Sequence, residues 1–78
     1  MTGTDDALIN AFAKALRRQR QAKGLSQEEL AHRAGVSMRY ISLLESRRHQ
    51  PSLETLRGLC AGLGISMVEF VGEIEAGL

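Results

Sequence analysis

The sequence predicts an all-α domain, a compact bundle of five helices. Two observations lead to this fold class. Apolar residues recur at intervals of three and four along five segments, which is the periodicity of amphipathic helices. Serines that can cap a helix start precede four of these segments, and glycines that can end a helix follow most of them. No repeat, low-complexity stretch or linker divides the chain, so residues 1–78 are expected to form one domain.

Basic residues concentrate in the middle of the chain, although its net charge is only +1. Five lysines and arginines fall within residues 14–23, residues 47–49 are Arg-Arg-His, and acidic residues mark both ends. This distribution suits a domain with a phosphate-facing surface on one side. The alternative is that the basic residues of the first helix form an ordinary solvated face.

The composition excludes several classes of protein. A single cysteine, Cys60, cannot form an intramolecular disulfide or a cysteine-rich metal site. No apolar run approaches the length of a membrane span, and the N-terminus lacks a signal-peptide pattern. A cytoplasmic protein with a reduced cysteine is therefore expected.

The first helix is predicted to follow a loose tail over residues 1–4 and to run to about Ala22, with Gly24 ending it. Asp5 and Asp6 favour its start because they complement the helix dipole. One apolar stripe repeats every four residues: Leu8, Phe12 and Leu16.

Residues 26–46 predict two short helices joined by a tight turn. Ser26 and Glu29 have the spacing of a capping box, and Ser37 caps the second helix. Gly35 ends the first helix because this position usually needs a positive φ. The apolar residues of both helices point into one shared core: Leu30, Ala34, Val36, Ile41 and Leu44.

Two further helices complete the predicted bundle. Ser52 caps the fourth helix and Gly64 ends it, and Ser66 with Glu69 forms a second capping box at the start of the fifth. The expected core face of the fourth helix contains Leu53, Leu56, Leu59, Cys60 and Leu63.

Small Ala31, the turn glycine and the spaced core residues of 26–46 together resemble the helix-turn-helix of the Cro and phage-repressor (XRE) family. The likeness extends from about Phe12 to Phe70 and includes small stand-alone repressors and restriction–modification controller proteins. It implies a lambda-repressor-like domain with the helix-turn-helix at helices 2–3. The implied function is sequence-specific binding of double-stranded DNA as a small dimeric transcriptional regulator, a repressor or autoregulator. An αα-hairpin in another small helical domain is the alternative.

The recognition helix of this motif would be residues 37–46, with its groove-facing side opposite the core residues. The expected base contacts are Met38, Arg39, Ser42 and Leu43. Arg39 can donate twice to guanine O6 and N7, or instead contact a phosphate or lie in solvent. Leu43 would meet a thymine methyl, or pack at a helix edge.

Phosphate contacts are expected around the same helix. Helix N-termini bind phosphate through free N–H groups, and the resemblance places contacts at the two motif helix starts and in the following loop. These residues are Gln27, Ser37, Ser46, Arg47 and Arg48, and the hydroxyl of Tyr40 joins them if its ring packs on the domain. Family members often carry polar amides at the first groove positions, whereas this chain has Met38 and Arg39, so an operator sequence does not carry over.

Arg20 continues the apolar stripe of the first helix, so a buried partner is expected for its charge. The chosen partner is Glu45, because the resembled family often joins the first helix to the recognition helix with an Arg–Glu pair at these places. The alternative is that Arg20 extends to solvent and Glu45 is a surface acid.

The fifth helix carries a second apolar stripe besides Phe70. We expect it to pair two subunits about a two-fold axis, so that the homodimer binds an inverted-repeat operator. The stripe and its neighbour are Met67, Val68, Val71, Ile74 and Leu78. The alternative is that the stripe packs on the first helix within one monomer.

Other functions are less well supported by the sequence. An antitoxin or another protein-interaction module can share this fold, and a toxin gene beside the coding sequence or a co-purifying protein would identify it. Glu28 and His32 have a spacing that metal ligands use, but two ligands are too few for a site. Neither an enzyme, a metal nor a cofactor is expected.

Overall fold

The computed structural model describes residues 6–78, and the prediction of five helices is confirmed. The elements are α1 (Asp6–Ala22), α2 (Gln27–Ala34), α3 (Met38–Glu45), α4 (Leu53–Leu63) and α5 (Met67–Ala76). The tail predicted for residues 1–4 and the start signal at Asp5 lie outside the described residues. In the described part, no helix is long and apolar enough to cross a membrane.

Serine caps begin four of the helices, as their sequence positions predict. Ser26 Oγ accepts the Glu29 amide at 3.0 Å, and Glu29 Oε1 accepts the Ser26 amide at 2.8 Å, which completes a capping box. Ser66 accepts the Glu69 amide in the same way, but no bond returns from the Glu69 carboxylate within residues 6–78. The second predicted box is therefore a simple N-cap.

One hydrophobic core joins all five helices. α2 packs on α3 and α4, α1 packs on α3 and α5, and α4 also packs on α5. Phe12 of α1 meets Phe70 of α5 edge to face, with ring centroids 6.0 Å apart. The largest fully buried side chains are Leu16, Leu30, Ile41, Leu44, Leu59 and Phe70. This core packs α2 and α3 against each other.

Close approach of α2 to α4 depends on small residues. A Cβ added at Gly62 would lie 3.2 Å from Arg33 Cβ, and one added at Gly58 would lie 3.2 Å from the Ala34 carbonyl oxygen. These distances are shorter than ordinary carbon contacts, so larger side chains would push the two helices apart. The sequence pattern did not predict this contact.

Two apolar positions differ from the sequence prediction. Leu53, expected in the core, is 77% exposed, because it begins α4 and lies beyond the residues that α4 buries. Ile74, expected at a dimer interface, is only 7% exposed and belongs to the core. The reason is that α5 lies along α1, so Phe70 and Ile74, one turn apart, face inward together.

The Glu45 carboxylate holds three helices together. Arg20 donates to both of its oxygens, from Nε to Oε2 at 2.6 Å and from Nη2 to Oε1 at 3.0 Å. Gln27 of α2 donates to Oε1 at 3.0 Å, and Arg20 Nη1 also donates to the Leu25 carbonyl at 2.9 Å. The Glu45 side chain is 1% exposed and that of Arg20 is 12% exposed. The buried charges are thus paired and their hydrogen bonds are satisfied.

The surroundings of Glu45 keep its carboxyl group ionised. Burial raises the pKa of this carboxyl, but hydrogen bonds from Arg20 and Gln27 and the charges of Arg20 and Arg17 outweigh burial and leave the pKa below its ordinary value of 4.5. The same contact raises the pKa of Arg20. Ionised Glu45 therefore stabilises the folded state at neutral pH.

Glu45→Ala is expected to lower the free energy of unfolding by about 3 kcal/mol, because it leaves a largely buried arginine without its partner. Glu73→Ala is the matched control, since it removes a carboxylate whose partner Arg18 is 58% exposed. An exposed ion pair contributes about 0–1 kcal/mol. Urea unfolding at neutral pH measures both variants, and equal losses would contradict a structural role for the Arg20–Glu45 pair.

The stabilisation by Glu45 should also depend on pH. Because its pKa is lowered on folding, the contribution is complete above the unfolded value of 4.5 and is lost as the pH falls through the folded value. The difference in stability between the protein and Glu45→Gln should therefore narrow as the pH falls below 4.5. Urea unfolding of both proteins from neutral to acidic pH measures this difference, and a constant difference would contradict the assignment.

Candidate nucleic-acid interface

The exposed face of α3 is set by the residues that α3 buries. Ile41 and Leu44 are fully buried, and Ser37 Oγ accepts the Tyr40 amide at 3.0 Å, which fixes the start of the helix. Met38 is 54% exposed, and Arg39 and Ser42 are also exposed on the side away from the core. Three of the four predicted base-contacting residues therefore lie together in solvent.

Leu43 occupies an intermediate position. It is half-buried, so only part of its side chain is available at the surface. The sequence left two alternatives for Leu43, an exposed groove contact and packing at a helix edge. The exposed part of the side chain fits the first, and the buried part fits the second. Arg39 and Ser42 consequently form the more accessible polar part of the face.

The starts of α2 and α3 flank this face. Gln27 is the first residue of α2, and its side-chain amide is held by Glu45 at 3.0 Å. An amide nitrogen carries two protons, so the second N–H of Gln27 remains able to donate. The hydroxyl of Ser37 accepts from the backbone and can still donate its own proton. Both residues have the donors that a phosphate oxygen requires.

The remaining predicted phosphate ligands lie in α3, at Tyr40, and in the loop after α3. Ser46 Oγ donates to the Leu43 carbonyl at 3.2 Å, which closes the end of the helix. Arg47 Nη1 donates to Asn10 Oδ1 of α1 at 3.0 Å, and Arg48 is exposed. Tyr40 is half-buried against the core, with its ring centroid 6.1 Å from that of His49. The ring packing expected for Tyr40 is therefore present.

The basic residues of α1 fall on different faces. Arg18 Nε donates to Glu73 Oε2 of α5 at 2.5 Å, whereas Arg17 Nε lies 3.5 Å from Glu45 Oε1 beside the end of α3. The sequence grouped these neighbours in one basic run without separating them. Helical periodicity was the available signal, because residues one position apart lie about 100° apart around the axis, but the partner helices were needed to use it.

The described residues contain no arrangement for metal chemistry. Within residues 6–78, no group of three or more histidine, cysteine, aspartate or glutamate side chains could hold a metal ion. The thiol of Cys60 is buried, and this burial raises its pKa, so the thiol stays protonated at neutral pH.

Comparison with known proteins agrees with this geometry. The family model described as helix-turn-helix matches residues 16–70. An uncharacterized HTH-type transcriptional regulator of Sinorhizobium fredii, y4dJ, is 48% identical over 54 residues, which cover 69% of this chain and 70% of the relative. Three other curated relatives are longer, and the chain spans between 35% and 56% of their length.

Solved structures match over most of both chains. The crystal structure of the clp gene regulator ClgR from C. glutamicum superposes with a TM-score of 0.84 at 37% identity, covering 91% of this chain and 92% of that one. The restriction–modification controller protein C.AhdI from Aeromonas hydrophila gives a TM-score of 0.77 at 35% identity, covering 80% and 94%. The resemblance inferred from residues 26–46 is confirmed, and the chain belongs to the helix-turn-helix family of transcriptional regulators.

Proposed function

We propose that this regulator binds an inverted-repeat operator as a homodimer, with α3 of each subunit in the major groove. The main observation in support is that Met38, Arg39 and Ser42 are exposed together on one side of α3, whereas its other side is buried in the core. Helix starts with free donors and a basic loop flank this face. Such a face matches the alternation of base edges and phosphates along a groove.

Arg39 is the residue to which we assign base readout. Its side chain is exposed in the first turn of α3, and its planar fork matches the two acceptors on the major-groove edge of guanine. Ser42 lies one turn later and can bond a base edge, while Met38 and the accessible part of Leu43 supply apolar contacts, including one to a thymine methyl.

Phosphate contacts position the helix in the groove. We assign them to donors at the two helix starts, to the Tyr40 hydroxyl, and to the loop after α3. The residues are Gln27, Ser37, Tyr40, Ser46, Arg47 and Arg48. Gln27 is especially well suited, because Glu45 fixes its amide while leaving one N–H available. These contacts carry no sequence information and set affinity and register.

A second copy of the chain is the proposed partner of α5, which makes residues 66–78 the dimerisation segment. With Ile74 in the core and Met67 half-buried against it, the available stripe is reduced to Val68, Val71 and Leu78, which are 84%, 44% and 65% exposed. An apolar groove of about 230 Å³ adjoins Val71 and contains Ile9 and Pro51. Exposed apolar surface of this kind is typical of a protein interface. Two-fold pairing through it would set the recognition helices about 34 Å apart.

The regulator is proposed to act as a repressor or autoregulator in the cytoplasm. Its similarity to a restriction–modification controller protein, over 80% of this chain and 94% of that one, supports a role in gene regulation. The relatives named above are transcriptional regulators and a controller protein, not enzymes, and we propose no catalytic activity.

Arg39→Ala should weaken binding to the preferred operator by about 1–3 kcal/mol and relax the preference at one base pair, because the variant loses a bidentate contact to guanine. Arg39→Lys is the matched control: it keeps the charge but loses the planar fork. Sites selected from random duplex DNA by each protein measure the preference. If Arg39→Lys keeps the full preference and Arg39→Ala weakens all sequences equally, Arg39 contacts a phosphate instead.

Val68→Lys combined with Val71→Lys should convert the dimer to a folded monomer, because two charges cannot be buried unpaired in an apolar interface. Ala61→Lys, at an exposed position of α4, is the control and should remain dimeric. Sedimentation velocity gives the assembly state and circular dichroism the helix content. A monomeric wild-type chain at high micromolar concentration would remove the dimer, and a stable complex with a different protein in its place would support the antitoxin class.

A further inference from the structure

A solvent-open cleft lies between α1 and the end of α3. It has a volume of about 620 Å³. We call it the α1–α3 cleft and define it by Asn10, Lys14 and Arg17 on the α1 side and by Ser46 and Arg47 on the α3 side. Because Ser46 caps the recognition helix, the cleft begins where the proposed DNA-reading face ends.

The cleft carries uncompensated positive charge. Glu45 is its acidic lining residue, but Arg20 already holds both carboxylate oxygens from the buried side. Arg17 Nε lies 3.5 Å from Oε1 of the same carboxylate, and the Arg17 side chain is 56% exposed. One carboxylate cannot neutralise two arginines, so positive charge remains at Arg17. Lys14 forms no ion pair within residues 6–78 and is exposed one turn before Arg17. Both cations are available to a ligand.

Arg18 provides the contrast on the same helix. It also lines the cleft, but its guanidinium is joined to Glu73 of α5 at 2.5 Å. Gln19 donates to the other oxygen of that carboxylate at 2.7 Å, and these bonds hold the pair in place. Arg18 is therefore neutralised, whereas its neighbour Arg17 is not.

The backbone of Arg47 is the most unusual feature of the cleft. Its φ is +67°, and among residues 6–78 it is the one non-glycine residue with a positive φ. The turns at the ends of α1, α2 and α4 use glycine for the same conformation, at Gly24, Gly35 and Gly64. A side chain at such a φ crowds the following carbonyl group, so glycine would adopt it at lower cost.

The left-handed conformation places Arg47 across the cleft. Its amide donates to the Leu44 carbonyl and the Arg48 amide to the Leu43 carbonyl, at 3.3 and 2.9 Å, which closes the end of α3. The guanidinium reaches α1, where Nη1 donates to Asn10 Oδ1. Asn10 is neutral, so it orients the guanidinium and leaves the charge uncompensated. Strain retained at a charged, oriented side chain indicates a binding role.

We infer that the α1–α3 cleft binds a backbone phosphate of the DNA strand that flanks the segment read by α3, with Lys14, Arg17 and Arg47 as its ligands. This inference rests on the proposed DNA-binding function and adds two residues of α1 to it. Arginine forks match phosphate oxygens bidentately, and Lys14 adds a point charge. The DNA backbone is favoured over a free phosphate because the cleft continues the face that carries Ser46 and α3.

The first test is the salt dependence of DNA affinity. An operator is selected from random duplex DNA by the wild-type dimer, and its dissociation constant is measured by fluorescence anisotropy over a range of salt concentrations. Each phosphate contact contributes about 0.9 to the slope of log affinity against log salt. Lys14→Ala and Arg17→Ala should each lower that slope by about this amount and leave the selected sequence unchanged. Arg18→Ala is the matched control and should keep the wild-type slope.

The second test separates binding from stability at Arg47. Arg47→Gly lets the backbone keep its left-handed conformation without strain, so the thermal unfolding midpoint should stay the same or rise. Because the variant also lacks the charged side chain, the salt slope should fall by about 0.9. Arg47→Lys keeps a charge at the same place and should keep most of the slope. A fall in the midpoint of Arg47→Gly with an unchanged slope would make Arg47 a structural residue and overturn its assignment as a ligand.

The outcomes distinguish this inference from the proposed function. Failure of the wild-type protein to select any duplex sequence would remove both. Selection by the wild type with wild-type slopes in Lys14→Ala and Arg17→Ala would leave DNA binding intact and overturn the cleft. Inorganic phosphate is the probe for a free anion, titrated at constant ionic strength against the amide resonances of Ser46 and Arg47. Saturable shifts in that titration, with DNA slopes unchanged in the variants, would assign the cleft to a free phosphate and overturn the DNA contact.

Discussion

The Glu45 carboxylate is the constraint on which the binding face depends. It is buried at the end of α3, held at both oxygens by Arg20 from α1, and joined to Gln27 at the start of α2. One group therefore fixes the rotation and position of the recognition helix relative to its two neighbours. The hydrogen bonds of this buried pair are directional, so they allow only one position of α3 relative to α1 and α2. Apolar packing of Ile41 and Leu44 alone is not directional and would define that position less closely.

Two arginines of α1 are neutralised by carboxylates of other helices. Arg20 and Arg18 are each paired with a carboxylate, on α3 and α5 respectively. Lys14, Arg17 and Arg47, which lie on α1 and in the loop after α3, line a cleft beside α3. A net charge of +1 thus conceals a local surplus of cations where DNA is proposed to bind. Arg47 adds to this local surplus of cations. Its charged side chain occupies a turn position that glycine would fill with less strain.

The small size of the domain explains how α5 is used. A chain of 78 residues has few apolar side chains for a core, and α5 contributes both Phe70 and Ile74 to it. From periodicity alone, Ile74 was predicted to face outward. In a helix of only three turns, the apolar stripe and the core face share positions, so the sequence cannot separate them. The direction from which α1 approaches decides which of the overlapping residues is enclosed. The exposed apolar surface that remains is smaller than predicted. It consists of Val68 and Val71 in the first half of α5 and Leu78 after its end.

The sequence by itself determined the helices, the motif and the family. Caps such as Ser26 and turn glycines such as Gly35 act through local backbone geometry, so their effect can be predicted without a tertiary structure. The apolar stripe predicted that Arg20 needs a partner, and the family resemblance identified Glu45 as that partner. Only the tertiary structure decided that Ile74 is core, that Arg17 and Arg18 face different helices, and that Arg47 adopts a left-handed turn. The first two depend on which surfaces meet when the helices pack, and those contacts lie between residues distant in the chain. The turn at Arg47 is closed by local hydrogen bonds, but its side chain also meets Asn10 of α1.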